Sequence, residues 1–226
     1  MPMELHELDL ELAALVGRVR RSLVQINVER RRGWSRGHAV AGSGAGTIWH
    51  PDGLIVTNAH VVQGRSVSIT LPELSPGADG GSPLPARVLA LDRNLDIAAL
   101  AVAASGLPTI EPGESSKLRA GQWVMALGHP WGVHGAVTGG VVIGVGSEWH
   151  ELSVNVRGGR RLPREWITAS LQLRPGHSGG PMVDVDGRLV GINAMMTGPG
   201  VGVAVPVHVV KRFLHQALAA SPVGTA

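Results

Sequence analysis

The chain has no cysteine, no tyrosine and a single phenylalanine. Without thiols there is no disulfide framework, no thiolate nucleophile and no cysteine-bound metal. So few aromatic rings leave no platform for stacking nucleic-acid bases, and the core falls to Val, Leu, Ile and Ala. Charge is sparse too, at 16% of residues and a formal net of +3. The one local basic cluster, Arg30-Arg31-Arg32 with Trp34 and Arg36, therefore reads as a solvated loop, and no nucleic-acid partner is expected. No apolar run approaches the ~18 residues of a membrane span. The first turns are acidic, and neither an apolar stretch nor a small-residue cleavage site follows. The expectation is thus a cytoplasmic protein without a leader, unless the sequence is part of an exported one. The ten histidines show no metal-binding spacing, so no metal and no cofactor is called for.

What is present is apolar and finely divided. Forty-four per cent of the 226 residues are hydrophobic, which excludes a disordered chain, and 32 glycines with 15 prolines imply many short strands joined by turns. Residues 1–21 read as an amphipathic helix with Leu5, Leu8, Leu12, Leu15, Val16 and Val19 near helical spacing, acids early and arginines late. Short alternating runs follow at 23–28, 45–49, 54–57, 66–70, 87–91 and 97–102, with a Pro/Gly-rich loop from Pro72 to Pro85. A second set lies at 122–127, 136–145, 166–173, 182–185, 189–195 and 201–205. The pattern predicts an all-β chain of two six-stranded antiparallel barrels with short N- and C-terminal helices. The expected divisions are a first barrel over 22–105, a linker over 106–118, a second barrel over 119–206, and a helix and tail over 207–226.

Chemistry concentrates in Arg174-Pro175-Gly176-His177-Ser178-Gly179-Gly180-Pro181. Glycines on both sides let the backbone approach a ligand, so the amides of Gly176 and Ser178 can converge beside the Ser178 hydroxyl as an oxyanion hole. A serine needs a base, and the base needs a group to orient it. His60 follows the apolar run Leu54-Ile55-Val56, where a helical turn can begin, and Asp96 heads the run Ile97 to Leu100. Taken singly, His60 reads equally as a packed histidine and Asp96 as a turn residue. Together they complete a His60, Asp96, Ser178 order that is the order of chymotrypsin and not of subtilisin or the α/β-hydrolases.

Gly53 to Val62, Asp96-Ile97-Ala98, Leu127-Gly128-His129-Pro130 and Gly176 to Pro181 together resemble the HtrA (high-temperature-requirement A) branch of chymotrypsin-like serine proteases, over roughly Ser22 to Leu218. The resemblance implies a serine endopeptidase acting on unfolded or accessible polypeptides, with His60 as base, Asp96 orienting it, Ser178 as nucleophile, and Gly176, His177 and Ser178 forming the oxyanion loop. Hydrolysis should then decline in acid, where the base is protonated. The stretches that line the specificity pocket in this fold read Leu171-Gln172-Leu173 and Asn193 to Met196, with no acid among them. An apolar pocket of Leu173, Met195 and Met196 is expected, favouring Val, Ala, Leu or Met before the scissile bond; the alternative is that these are plain core residues. The N-terminal helix reads first as packing on its own domain; the alternative, which the family implies, is a contact between protomers of a homotrimer. The family also implies activation by loop ordering, with Trp149 to Glu165 as the regulatory loop. Three departures stand out: His177 where the family has asparagine, Ser170 where aspartate is common, and no peptide-binding PDZ domain up to Ala226. A catalytically weak peptide-binding or chaperone-like relative is the rival expectation.

Overall fold

The computed structural model describes residues 2–29, 40–64, 66–72, 81–146 and 165–219. The Arg30 to Arg32 cluster and, apart from Glu165, the expected regulatory loop lie outside the described residues. Helix α1 (Pro2–Arg20) leads into strands β1 (Leu23–Glu29), β2 (Val40–His50), β3 (Leu54–Thr57), β4 (Ser66–Thr70), β5 (Leu84–Asp92) and β6 (Ile97–Val102). A second set follows as β7 (Trp123–Gly128), β8 (Ala136–Gly146), β9 (Trp166–Ser170), β10 (Pro181–Val183), β11 (Leu189–Gly198) and β12 (Val201–Pro206), closed by helix α2 (Val207–Ala219).

Each set closes on itself: β1-β2-β3-β6-β5-β4 and β10-β11-β12-β9-β8-β7 are two antiparallel barrels of six strands, the chymotrypsin-like fold. Closure removes the free edges that short apolar strands otherwise expose. Aliphatic side chains fill both interiors, Val24, Ile26, Ile48, Ile55 and Leu100 in the first and Val142, Ile167, Met182 and Val190 in the second. A third cluster cements the barrels to each other and to both helices. Val56, Ile97 and Ala99 meet Leu127, Ile192 and Val205 there, flanked by Leu15 and Val19 of α1 and by Val210 and Phe213 of α2.

The N-terminal helix departs from its expected stripe. Only its last turns are sealed, with Leu15 and Val19 buried, whereas Leu8 and Leu12 remain 51% and 39% exposed. Strand β10 stops at Val183 and not at Val185, because the Asp184 carboxylate turns back to accept the amides of Asp186 and Arg188 at 3.0 and 2.9 Å.

Candidate active site

His60 sits in a turn just beyond β3, where Val61 N–H donates to Asn58 O. The expected helical turn is a pair of tight turns. Asp96 precedes β6, is 2% exposed, and takes φ +53°, a left-handed conformation that aspartate tolerates better than most residues. The Asn58 side-chain amide fixes that conformation by donating to the Asp96 carbonyl at 2.9 Å. Both carboxylate oxygens then address His60: Oδ1 accepts the His60 backbone N–H at 3.1 Å and Oδ2 lies 2.7 Å from Nδ1. A carboxylate can only accept, so the ring carries a proton on Nδ1, and in the neutral imidazole Nε2 is then the acceptor.

Ser178 arrives from the second barrel on a loop clamped at several points. Its carbonyl accepts Ala45 N–H of β2 at 2.8 Å, and Gly179 N–H donates to Asn193 O at 2.8 Å. Gly179 has φ +87°, and a side chain there would run into Ala45 O and Thr57 Oγ1, so only glycine lets the loop lie this close to the first barrel. The preceding Arg174-Pro175-Gly176-His177 is a type II turn, with His177 N–H donating to Arg174 O at 2.9 Å and Gly176 at φ +105°. Gly176 O accepts His129 N–H at 2.9 Å, and the Arg174 guanidinium stands 4.6 Å from the centre of the Trp131 ring. Among the described residues, neither the Gly176 nor the Ser178 amide donates a hydrogen bond.

His60, Pro175, Gly176 and Ser178 line one cleft of about 240 Å³, together with Gly42, Ser43 and Val61. The three residues expected as a triad thus gather at the seam between the barrels, although one contact is not made. The Ser178 hydroxyl donates to Ala194 O at 2.7 Å and to no ring nitrogen of His60. His177, expected beside the oxyanion, is instead 3% exposed and does not line the cleft. Burial holds its pKa below the ordinary histidine range.

The expected pocket residues divide. Leu173 and Met196 lie together, with Leu173 N–H donating to Met196 Sδ at 3.1 Å, in the cluster that fills the second barrel. Met195 packs against the cluster between the barrels. Adjacent strand residues point to opposite faces, which is why these two methionines part company. Three supporting roles went unread in the sequence. Asn58 holds Asp96, Ala194 receives the serine, and Asn193 donates from its side chain to both Leu127 O and Pro181 O at 3.0 Å, tying β7 to β10. A lone asparagine in the apolar run Leu189 to Ala194 was the available signal for the last.

The model of the trypsin-like peptidase domain family matches residues 44–192. The mitochondrial serine protease HTRA2 of Drosophila pseudoobscura pseudoobscura is 36% identical over 177 residues, 78% of this chain and 39% of that protein. The mitochondrial serine protease HTRA2 of Drosophila willistoni is 33% identical over 209 residues, 91% of this chain and 46% of that protein. HhoB of Synechocystis sp. is 35% identical over 169 residues, 74% of this chain and 38% of that protein. The chain therefore spans less than half the length of these relatives. With this match over a double barrel, the chain belongs to the trypsin-like peptidase family, in its HtrA branch.

Proposed function

We propose that the protein is a serine endopeptidase in which His60 takes the Ser178 proton and returns it to the leaving amine, while Asp96 holds the imidazole tautomer and stabilises the imidazolium. The observation that carries this reading is the doubly anchored His60–Asp96 pair, at 2.7 and 3.1 Å, in the cleft that Ser178 also lines. The Gly176 and Ser178 amides, unengaged among the described residues, would receive the oxyanion. Ser178 must first turn from Ala194 to His60; catalytic hydrogen bonds commonly tighten only once substrate is bound.

Substrates in this reading are unfolded or otherwise accessible polypeptides. The residue before the scissile bond would meet the apolar Leu173 and Met196, with Met195 on the far face of β11 shaping the wall from behind. A homotrimer through the N-terminal segment is supported by Leu8, Leu10 and Leu12 of α1, which stand 51%, 56% and 39% exposed. Light scattering on the purified chain checks it, and a monomer at micromolar concentration would remove it. No described helix is long and apolar enough to cross a membrane.

The Ser178–Ala194 hydrogen bond is also what a catalytically weak peptide-binding relative would show. Fluorophosphonate labelling separates the two readings, with the adduct located by mass. A Ser178 adduct together with Ser178-dependent casein hydrolysis supports the protease; neither would be seen for a binding module.

A further inference from the structure

The side chain of His177 has no place in acyl-transfer chemistry as drawn above, yet it stands between two residues of the proposed site. Pro175, Gly176 and Ser178 border the cleft, whereas the imidazole between them points inward and is 3% exposed. It lies against the end of β7 at Gly128, where even a Cβ would come within 2.5 Å of His177 Cα and 3.2 Å of its Cγ. Its Nδ1 is 3.2 Å from the backbone N of Arg174 and 3.2 Å from the Arg174 carbonyl, and its own N–H donates to that carbonyl at 2.9 Å. Main chain and side chain of one residue therefore both close the turn that carries Gly176.

From this geometry we infer that His177 is the positioning residue of the oxyanion turn. The inference rests on the protease reading. A type II turn leaves the Gly176 amide unengaged only while the Pro175–Gly176 peptide keeps its orientation, and the far end of that turn is where the imidazole grips. Either neutral tautomer serves: Nδ1 accepts from Arg174 N–H, or Nδ1–H donates to Arg174 O. A doubly protonated ring would keep the Nδ1–H contact to Arg174 O but bury a charge with Nε2 partnerless, beside the Arg174 guanidinium and the titratable His129, with His134 behind it.

The experiment compares wild type, His177→Asn and His177→Leu on a peptide substrate with valine before the scissile bond. Asparagine keeps a donor and an acceptor near Arg174; leucine fills the space with neither. The leucine variant should lose about 100-fold in kcat with KM within about 2-fold, the signature of a lost oxyanion donor, whereas asparagine should stay within about 5-fold of wild type. Wild-type kcat in the leucine variant, or equal losses in both, overturns the inference. If the leucine variant does not fold, His177→Ala replaces it under the same criteria, with kcat referred to the folded fraction measured by circular dichroism. Absence of Ser178-dependent turnover in wild type overturns the protease reading itself, and this inference with it.

Discussion

The hydroxyl of Ser178 donates to the carbonyl of Ala194 at 2.7 Å, across the gap between the second barrel's loop and β11. Ser178→Ala removes both the proposed nucleophile and that bond. We expect kcat on casein to fall about a million-fold, as nucleophile loss does in a working triad. The same substitution should cost about 1 to 3 kcal/mol of stability, because Ala194 is 1% exposed and its carbonyl loses this donor inside the fold. Urea titration alongside the assay checks both halves, and equal residual hydrolysis in the two proteins would refute the assignment.

Asp96→Asn keeps size and burial but replaces an acceptor that meets both the His60 backbone and its ring. The amide can present an N–H to Nδ1 and stabilise the wrong tautomer. A loss of about 10⁴-fold in kcat is expected, with the folded spectrum retained. Measured kcat within tenfold of wild type would show that Asp96 serves only the fold.

Acid should weaken the fold before it dissolves it. Burial, reinforced by the nearby His134, pushes His129 down to about 4 from 6.5, and burial holds His177 below its ordinary range. Between those limits the unfolded chain binds more protons than the native one, so stability is complete above pH 6.5 and is lost as pH falls toward 4. For His129 alone the loss amounts to about 3 kcal/mol. Tm measured from pH 7 to 4 should fall, and His129→Gln should flatten that fall. A variant that follows the wild-type curve throughout would exclude His129 as the cause.

Leu173 and Met196 offer no carboxylate to an arginine side chain, and a buried unpaired cation is costly. A valyl substrate should exceed the matching arginyl one by about 100-fold or more in kcat/KM, from a penalty of roughly 3 kcal/mol. Comparable turnover of the two would move the pocket elsewhere.

Away from the cleft, His208 bridges Ser115 and Glu165. Its Nδ1 lies 2.8 Å from Ser115 Oγ, Nε2 pairs with the Glu165 carboxylate, and the same hydroxyl accepts the His208 backbone N–H at 3.2 Å. Ser115 is fully buried, so this Ser–His–Glu row caps the start of α2 and is not a second active site. Ser115→Ala should cost about 1 to 2 kcal/mol in urea unfolding, with activity unchanged at pH 8. A neutral result would mean that the cap is replaceable by water.

Much of this was legible in the chain. Alternation and turn residues located β3, and the last helix begins at Val207 as expected. The residue types of the candidate site were readable from His60, Asp96 and Ser178 in their local settings, and two of them, His60 and Ser178, line one cleft. Illegible were the relations that tertiary packing makes. Nothing local says that Ala194 receives the serine or that His177 turns inward. The bulge in β11 between Asn193 and Met195 shifts its register, and strand spacing alone does not reveal such a slip.

The cluster joining the barrels is made mostly of aliphatic side chains from both halves and both helices, while the proposed base rides on one half and the proposed nucleophile on the other. Competence is then a matter of how two bodies are seated. Val56→Ala or Ile192→Val, at side chains buried in that cluster, should tilt one half against the other and slow turnover while each half stays intact.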